Sequence, residues 1–236
     1  MEKLNIMNRS ILTEILSYNP ENFPFDQIIR KLLEKESLDA LSIKDEQVET
    51  KKEYSFYKNM EQSSTFKKLY QNLEGTFGEE FYRTYYRFIK EVIRPQFSEA
   101  IYFQKKPSHR ILFRDLEGVA RFHKDSDYGH NPTEINYWVP QTMSFKSNSI
   151  WIANNAETRE PEEHSPVQLE VGEYLKFDGA NLSHGAMPNK TGKSRVSFDF
   201  RVVPVSEASS QIKEVASNQN GQNPVMTNAH KFELCE

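Results

Sequence analysis

Residues 194–203 read SRVSFDFRVV, and alternation divides them: Arg195, Ser197, Asp199 and Arg201 fall on one side, Val196, Phe198, Phe200 and Val202 on the other. Side chains of a β-strand leave alternate faces, so the pattern predicts a strand with its apolar face on a core and its polar face lining a cavity. Working back toward the N-terminus, runs of the same texture recur after Lys106: RILFRD, GVARFHKD, EINYWVP, NSIWIAN, SPVQLEV and EYLKFDG, separated by Gly, Pro, Asn and Asp. Short strands at such intervals predict an antiparallel sandwich or jelly roll.

Upstream of these runs the period changes. Between residues 22 and 37, Phe25, Ile28, Ile29, Leu32 and Leu33 approximate helical spacing, and Pro24 can open a helix but not continue one. Between 77 and 93, Phe81, Tyr85, Phe88, Ile89 and Val92 recur three or four apart, which predicts a long helix that Pro95 ends or kinks. Its aromatic face would suit base stacking or a cofactor, but packing against a sheet accounts for it without further assumptions. The charged segment 44–53 shows neither period and reads as a surface connection. Past Pro204 the chain is rich in Ser, Gln, Asn and Lys, so a flexible tail is expected from about residue 206, with Phe232 and Leu234 able to dock. The expected organisation is mainly β with flanking helices: a helical region over 1–106, the jelly roll over 107–205 and the tail over 206–236.

A chain of 236 residues can bury roughly 70–75% of its unfolded surface, so one core needs no disulfide or structural metal. The 30 basic and 34 acidic residues give a net charge of −4 without a long Lys/Arg run, which argues against a nucleic-acid partner. Cys235 is the only cysteine, so a disulfide within the chain is excluded and a reducing cytoplasm fits. The N-terminal MEKLNIMNRSILTEILSY is broken by polar residues, and nowhere do about eighteen apolar residues run together, so neither export nor a membrane span is expected. Oligomeric state is left open.

The chemistry begins with His123 and Asp125, two apart in ARFHKD, which on a strand would leave one face and reach one metal ion. Alone the pair is weak, because six histidines make such a coincidence common. His184, in FDGANLSHGAMPN, follows a strand-like run and a turn. It reads either as a third ligand or as a loop histidine bonded to backbone. Two imidazoles and a carboxylate leave three positions of octahedral iron open, the arrangement used for oxygen activation. Arg195, eleven residues after His184 and two before Ser197, favours the metal reading. A dicarboxylate that chelates iron by its 2-oxo acid end needs a guanidinium fork for its far carboxylate, helped by a hydroxyl.

HKDSDYGH, EINYWVP, LSHGAMPN and SRVSFDFRV together resemble the iron(II)/2-oxoglutarate-dependent oxygenases, more narrowly the phytanoyl-hydroxylase-like branch that includes proteins of aminoglycoside antibiotic clusters. The resemblance spans roughly residues 107–204. It implies a double-stranded β-helix, cupin-like, with His123, Asp125 and His184 as iron(II) ligands and Arg195 with Ser197 holding 2-oxoglutarate. It also implies oxidation of a C–H bond by O2, with release of succinate and CO2. Hydroxylation is the default outcome, and desaturation, ring closure and epimerisation use the same ligands. Related halogenases carry a small residue where this chain has Asp125, so halogenation is not expected.

Other positions are open. Arg121 shares the face of His123 and would meet an acidic substrate or form a structural ion pair. Asn136 and Trp138 share one face of EINYWVP and would touch co-substrate or substrate. Tyr128 and His130 lie just past the metal pair, with His130 either a substrate contact or a solvated loop residue. Arg201 is a further substrate candidate. His109, His164 and His230 show no partner pattern and read as surface residues. The polar candidates favour a small hydrophilic metabolite as substrate. The rivals are a cupin-type isomerase or a dioxygenase that needs no 2-oxo acid, and a non-catalytic jelly roll that binds a ligand or partner.

Overall fold

The computed structural model of the chain describes residues 13–46, 63–116, 120–158, 160–217 and 232–236. It opens on strand β1 (Thr13–Ser17) and helix α1 (Phe25–Leu33), whose buried face carries Phe25, Ile28, Ile29, Leu32 and Leu33. The helix stops short of the expected residue 37 because Glu34 turns left-handed, at φ 54°, and its N–H caps the carbonyls of Arg30 and Lys31. Helix α2 (Ser64–Glu74), which no sequence pattern announced, is capped by Ser63, whose Oγ accepts from the Phe66 N–H at 3.1 Å. Helix α3 (Glu79–Phe88) runs on through a π turn (Ile89–Ile93) into a 3-10 turn (Arg94–Gln96). Pro95 lies in that last turn, and extended backbone resumes at Phe97.

The strands that follow are β2 (Ile101–Gln104), β3 (Ser108–Leu112), β4 (Ala120–His123), β5 (Ile135–Pro140), β6 (Trp151–Ala153), β7 (His164–Pro166), β8 (Glu173–Phe177), β9 (His184–Ala186) and β10 (Arg195–Pro204). Helix α4 (Ser210–Ser217) and strand β11 (Phe232–Cys235) complete the described chain. The larger sheet runs β1-β8-β5-β10-β2-β11, with β3 also paired to β10, and the smaller runs β4-β9-β6-β7. Every named strand pairing is antiparallel, so the two sheets and flanking helices form the expected jelly roll.

The alternation of residues 194–203 divides the molecule's interior. Val196, Phe198 and Phe200 join the core cluster that holds the buried faces of α1 and α3, with Phe25 4.9 Å from Phe198 and Tyr85 5.3 Å from Phe200 in edge-to-face contact. The aromatic face of 77–93 is therefore core. A second cluster is built from Trp138, Ile150, Ile152, Leu169, Leu175, Phe177 and Leu182, which come from β5, β8 and the smaller sheet or the loops beside them.

Several expectations require correction. Strands β1 and β2 lie in the segment expected to be helical, yet they pair with β8 and β10. The tail contributes α4 and an edge strand: Phe232 to Cys235 pair with Gln104 to Ile101. Phe232 packs on Val203, Ala208 and Ile212, while Leu234 stays 44% exposed. In the segment 44–53, Lys44 and Asp45 are exposed, while residues 47–53, like His230, lie outside the described residues. Among the described residues no helix is long and apolar enough to cross a membrane.

His109, expected at the surface, is 1% exposed, because the inward face of β3 carries it under Phe81 and Phe198. Neither ring nitrogen has a hydrogen-bond partner, and burial, helped by Arg110, pushes its pKa down to about 3. The folded state therefore rejects a proton that the unfolded chain accepts near pH 6.5. Stability is complete above that pH and is lost as pH falls, by about 2 kcal/mol between pH 6.5 and 5. His109→Phe should flatten this dependence in urea titrations at pH 8 and 5, whatever its effect on absolute stability. Parallel pH dependence in the two proteins would disprove the assignment.

Candidate metal centre

His123 ends β4, His184 opens β9, and the two are register partners across that pair. Their rings lie 4.6 Å apart. Asp125 is not on the strand, as the two-residue spacing suggested: β4 stops at His123, and Asp125 opens a 3-10 turn (Asp125–Tyr128). Its N–H donates to the Gly179 carbonyl at 2.9 Å, which seats the turn against the loop that leads to His184. The carboxylate still reaches both rings, with Oδ1 3.5 Å from His123 Nε2 and 3.5 Å from His184 Nε2.

Backbone carbonyls decide which ring nitrogens are offered. His123 Nδ1 lies 2.9 Å from the Arg121 carbonyl and His184 Nδ1 3.0 Å from that of Leu182. A carbonyl only accepts, so each Nδ1 carries the proton and each Nε2 presents a lone pair. The three ligand atoms lie within 4.8 Å of one another. Lone pairs converging in this way repel unless a cation or proton lies between them, and the N, N, O donor set suits a divalent transition metal.

The other oxygen of Asp125 is occupied. Oδ2 accepts from Arg201 Nε at 3.0 Å, from Arg201 Nη2 at 2.8 Å and from Asn136 Nδ2 at 2.8 Å. Burial alone would raise the carboxyl pKa, but the Arg201 guanidinium holds Asp125 well below the usual carboxylate range. Burial likewise works against the charge on Arg201, and Asp125, Asp199 and Glu134 more than restore it. Gly179 makes room for this contact, since a Cβ there would fall 2.5 to 2.9 Å from the Asn136 amide atoms.

No protein-family model matches the sequence. The chain is 33% identical over 191 residues to the streptomycin biosynthesis protein StrG of Streptomyces griseus, covering 80% of this chain and 83% of StrG. The chain belongs to the StrG family. Among solved structures, this StrG-family fold is similar to EctD from S. alaskensis with 2-oxoglutarate and 5-hydroxyectoine, at a TM-score of 0.53 and 11% identity over 84% of this chain and 73% of EctD. A likeness to the non-heme alpha ketoglutarate dependent epimerase SnoN from nogalamycin biosynthesis has a TM-score of 0.46 and 15% identity, over 64% of this chain and 72% of SnoN. The fold is thus similar to the jelly roll of EctD, the architecture that the sequence's resemblance implied.

In this StrG-family chain the remaining candidates fall into three groups. Arg195, Ser197 and Trp138 come together: Arg195 Nη1 donates to Ser197 Oγ at 2.8 Å, its Nε to the Asn148 carbonyl at 3.1 Å, and its guanidinium carbon lies 5.4 Å from the Trp138 ring centre. Asn136 and Arg201 lie instead at Asp125. Tyr128, His130 and Arg121 belong to the rim. Tyr128 is 63% exposed with its ring 5.2 Å from that of His123, and Arg121 is exposed. His130 Nδ1 lies 2.9 Å from Glu134 Oε2, and the same Glu134 oxygen lies 3.4 Å from Arg201 Nε. Glu134 was missed as a buried site residue, although its position four after His130 was a visible signal.

His164, expected at the surface, is buried where β7 closes the smaller sheet, and here the expectation is corrected. Its Nδ1 lies 2.8 Å from the Glu160 carbonyl and its Nε2 3.0 Å from Ser183 Oγ, so it braces the residue that precedes His184.

Proposed function

We propose that this chain is a non-haem iron(II)- and 2-oxoglutarate-dependent oxygenase that oxidises a small polar metabolite, by hydroxylation as the default reaction. The observation that carries the proposal is the convergence of His123 Nε2, His184 Nε2 and Asp125 Oδ1, with both Nδ1 atoms and Oδ2 engaged elsewhere. His123, Asp125 and His184 would hold the iron. Iron with 2-oxoglutarate and O2 supplies the oxidising power when bound: one oxygen atom enters the substrate C–H bond, the other enters succinate, and CO2 leaves.

The protein's own part is to bind, orient and exclude water. Buried Arg195, with Ser197 beside it, offers a fork for the distal carboxylate of the co-substrate, and the Trp138 ring shields one side of the guanidinium. A cupin-type isomerase, or a dioxygenase without a 2-oxo acid, would have no use for that fork. Arg121, Tyr128 and His130 supply polar and aromatic contacts for a substrate. The role of StrG in streptomycin biosynthesis supports a secondary metabolite as that substrate.

The purified protein should bind one iron(II) per chain and, with 2-oxoglutarate added without oxygen, develop a weak visible charge-transfer band. Absence of both the band and any 2-oxoglutarate affinity after iron loading would overturn the proposal. Succinate release across a panel of polar metabolites then tests the substrate class.

A further inference from the structure

We propose that Arg201 and Asn136 are positioning residues that confine Asp125 to a single donor atom, and so keep open the metal positions that a chelating co-substrate needs. The inference rests on His123, Asp125 and His184 being metal ligands and adds a device to that site.

Carboxylates bind metals through one oxygen or two. In a six-coordinate centre with two imidazoles, a two-point carboxylate would leave two positions. A 2-oxo acid would fill both and leave none for oxygen. Here Oδ1 is equidistant from the two Nε2 atoms, at 3.5 Å, while Oδ2 takes three N–H donors. Turning Oδ2 toward the metal would break all three bonds, two of them to a buried guanidinium.

The restraint is itself anchored. Asn136 and Arg201 are register partners on β5 and β10, so the sheet delivers both donors to one oxygen. Arg201 Nη1 reaches Gln104 Oε1 at 3.3 Å and Asp199 Oδ2 at 3.9 Å, and its Nε also faces Glu134 at 3.4 Å. The guanidinium is therefore held from β2, from its own strand and from the residue before β5, and cannot follow a rotating carboxylate. A purely structural Arg201, neutralising buried acids, would matter for stability alone.

Arg201→Lys keeps the charge and removes the fork, and Asn136→Ala removes one donor without altering charge. Both full-length variants are loaded with cobalt(II), whose visible spectrum reports coordination, and titrated with acetohydroxamate, a two-oxygen chelator without a distal carboxylate for Arg195 to bind. The expected result is an altered cobalt spectrum before chelator is added and an acetohydroxamate dissociation constant raised at least about tenfold in Arg201→Lys, as for a lost outer partner of a ligand. Asn136→Ala should show a smaller rise, and cobalt affinity should change less than acetohydroxamate affinity in both.

Wild-type spectra and acetohydroxamate affinity in both variants, whatever happens to thermal stability, would overturn the inference while leaving the metal site intact. A wild-type protein that binds no cobalt would remove the site itself, and the inference with it. If Arg201→Lys does not fold, Asn136→Ala decides: a raised dissociation constant supports the restraint, and an unchanged one refutes it.

Discussion

Asp125→Ala is expected to weaken iron binding and to lower succinate formation by more than about a hundredfold, since the proposed ligand set would lose a carboxylate and its charge together. The substitution also strands Arg201, which is buried against Asp125. Removing one partner of a buried ion pair costs about 3–5 kcal/mol. The lower end applies here, because Glu134 and Asp199 remain near the guanidinium. Activity should therefore be normalised to folded protein.

Asp125→Glu tests geometry rather than charge. One extra methylene moves the ligand oxygen by about an ångström, beyond the roughly 0.5 Å that such a constellation tolerates. It would also push the carboxylate out of the nest formed by Asn136 and Arg201, so turnover should be poor even where iron is retained. Near-normal iron stoichiometry and succinate formation in both variants would remove the three-residue ligand assignment and leave Asp125 as the opening residue of a turn.

Arg195→Met should raise the 2-oxoglutarate requirement at least tenfold while iron binding changes little. Losing a buried partner of a carboxylate costs on the order of 2–5 kcal/mol, and tenfold corresponds to about 1.4 kcal/mol. Met fills the aliphatic volume beside Trp138, so the loss should be confined to the charged fork. The structure narrows the alternatives if the requirement does not change. Arg201 is committed to Asp125, which leaves Arg121 as the next guanidinium to test.

Much of this is legible in the sequence. The alternation of 194–203 placed Arg195 and Ser197 on one face, and the two are hydrogen-bonded on β10. The aromatic period of 77–93 foretold the packing of Phe81, Tyr85 and Phe88 on the sheet. The order of His123, Asp125 and His184 singled out the three residues that cluster. Helix α2 escaped notice although Ser63 caps it, and β11 was hidden in a polar tail because an edge strand needs only one docked apolar residue, here Phe232.

What the sequence alone determined is the set of features that covalent geometry writes at short range: which residues share a strand face, where an aromatic stripe turns inward, and which side chains carry metal-binding chemistry. Only the tertiary structure decided which of these residues meet. Asn136 faces Arg201 because of the β5–β10 register, and a one-residue slip, which would send the Asn136 side chain to the opposite face, cannot be judged from alternation in either strand. His109 and His164 look like surface histidines because no side-chain pattern beside them in the sequence marks a buried site, and their burial comes from β10 and the aromatic helix for one and from β6 and β9 for the other. Long-range pairing depends on loop closure and on packing summed over the whole fold. The second oxygen of Asp125, held by residues 11 and 76 positions away, was therefore invisible until the sheets were assembled.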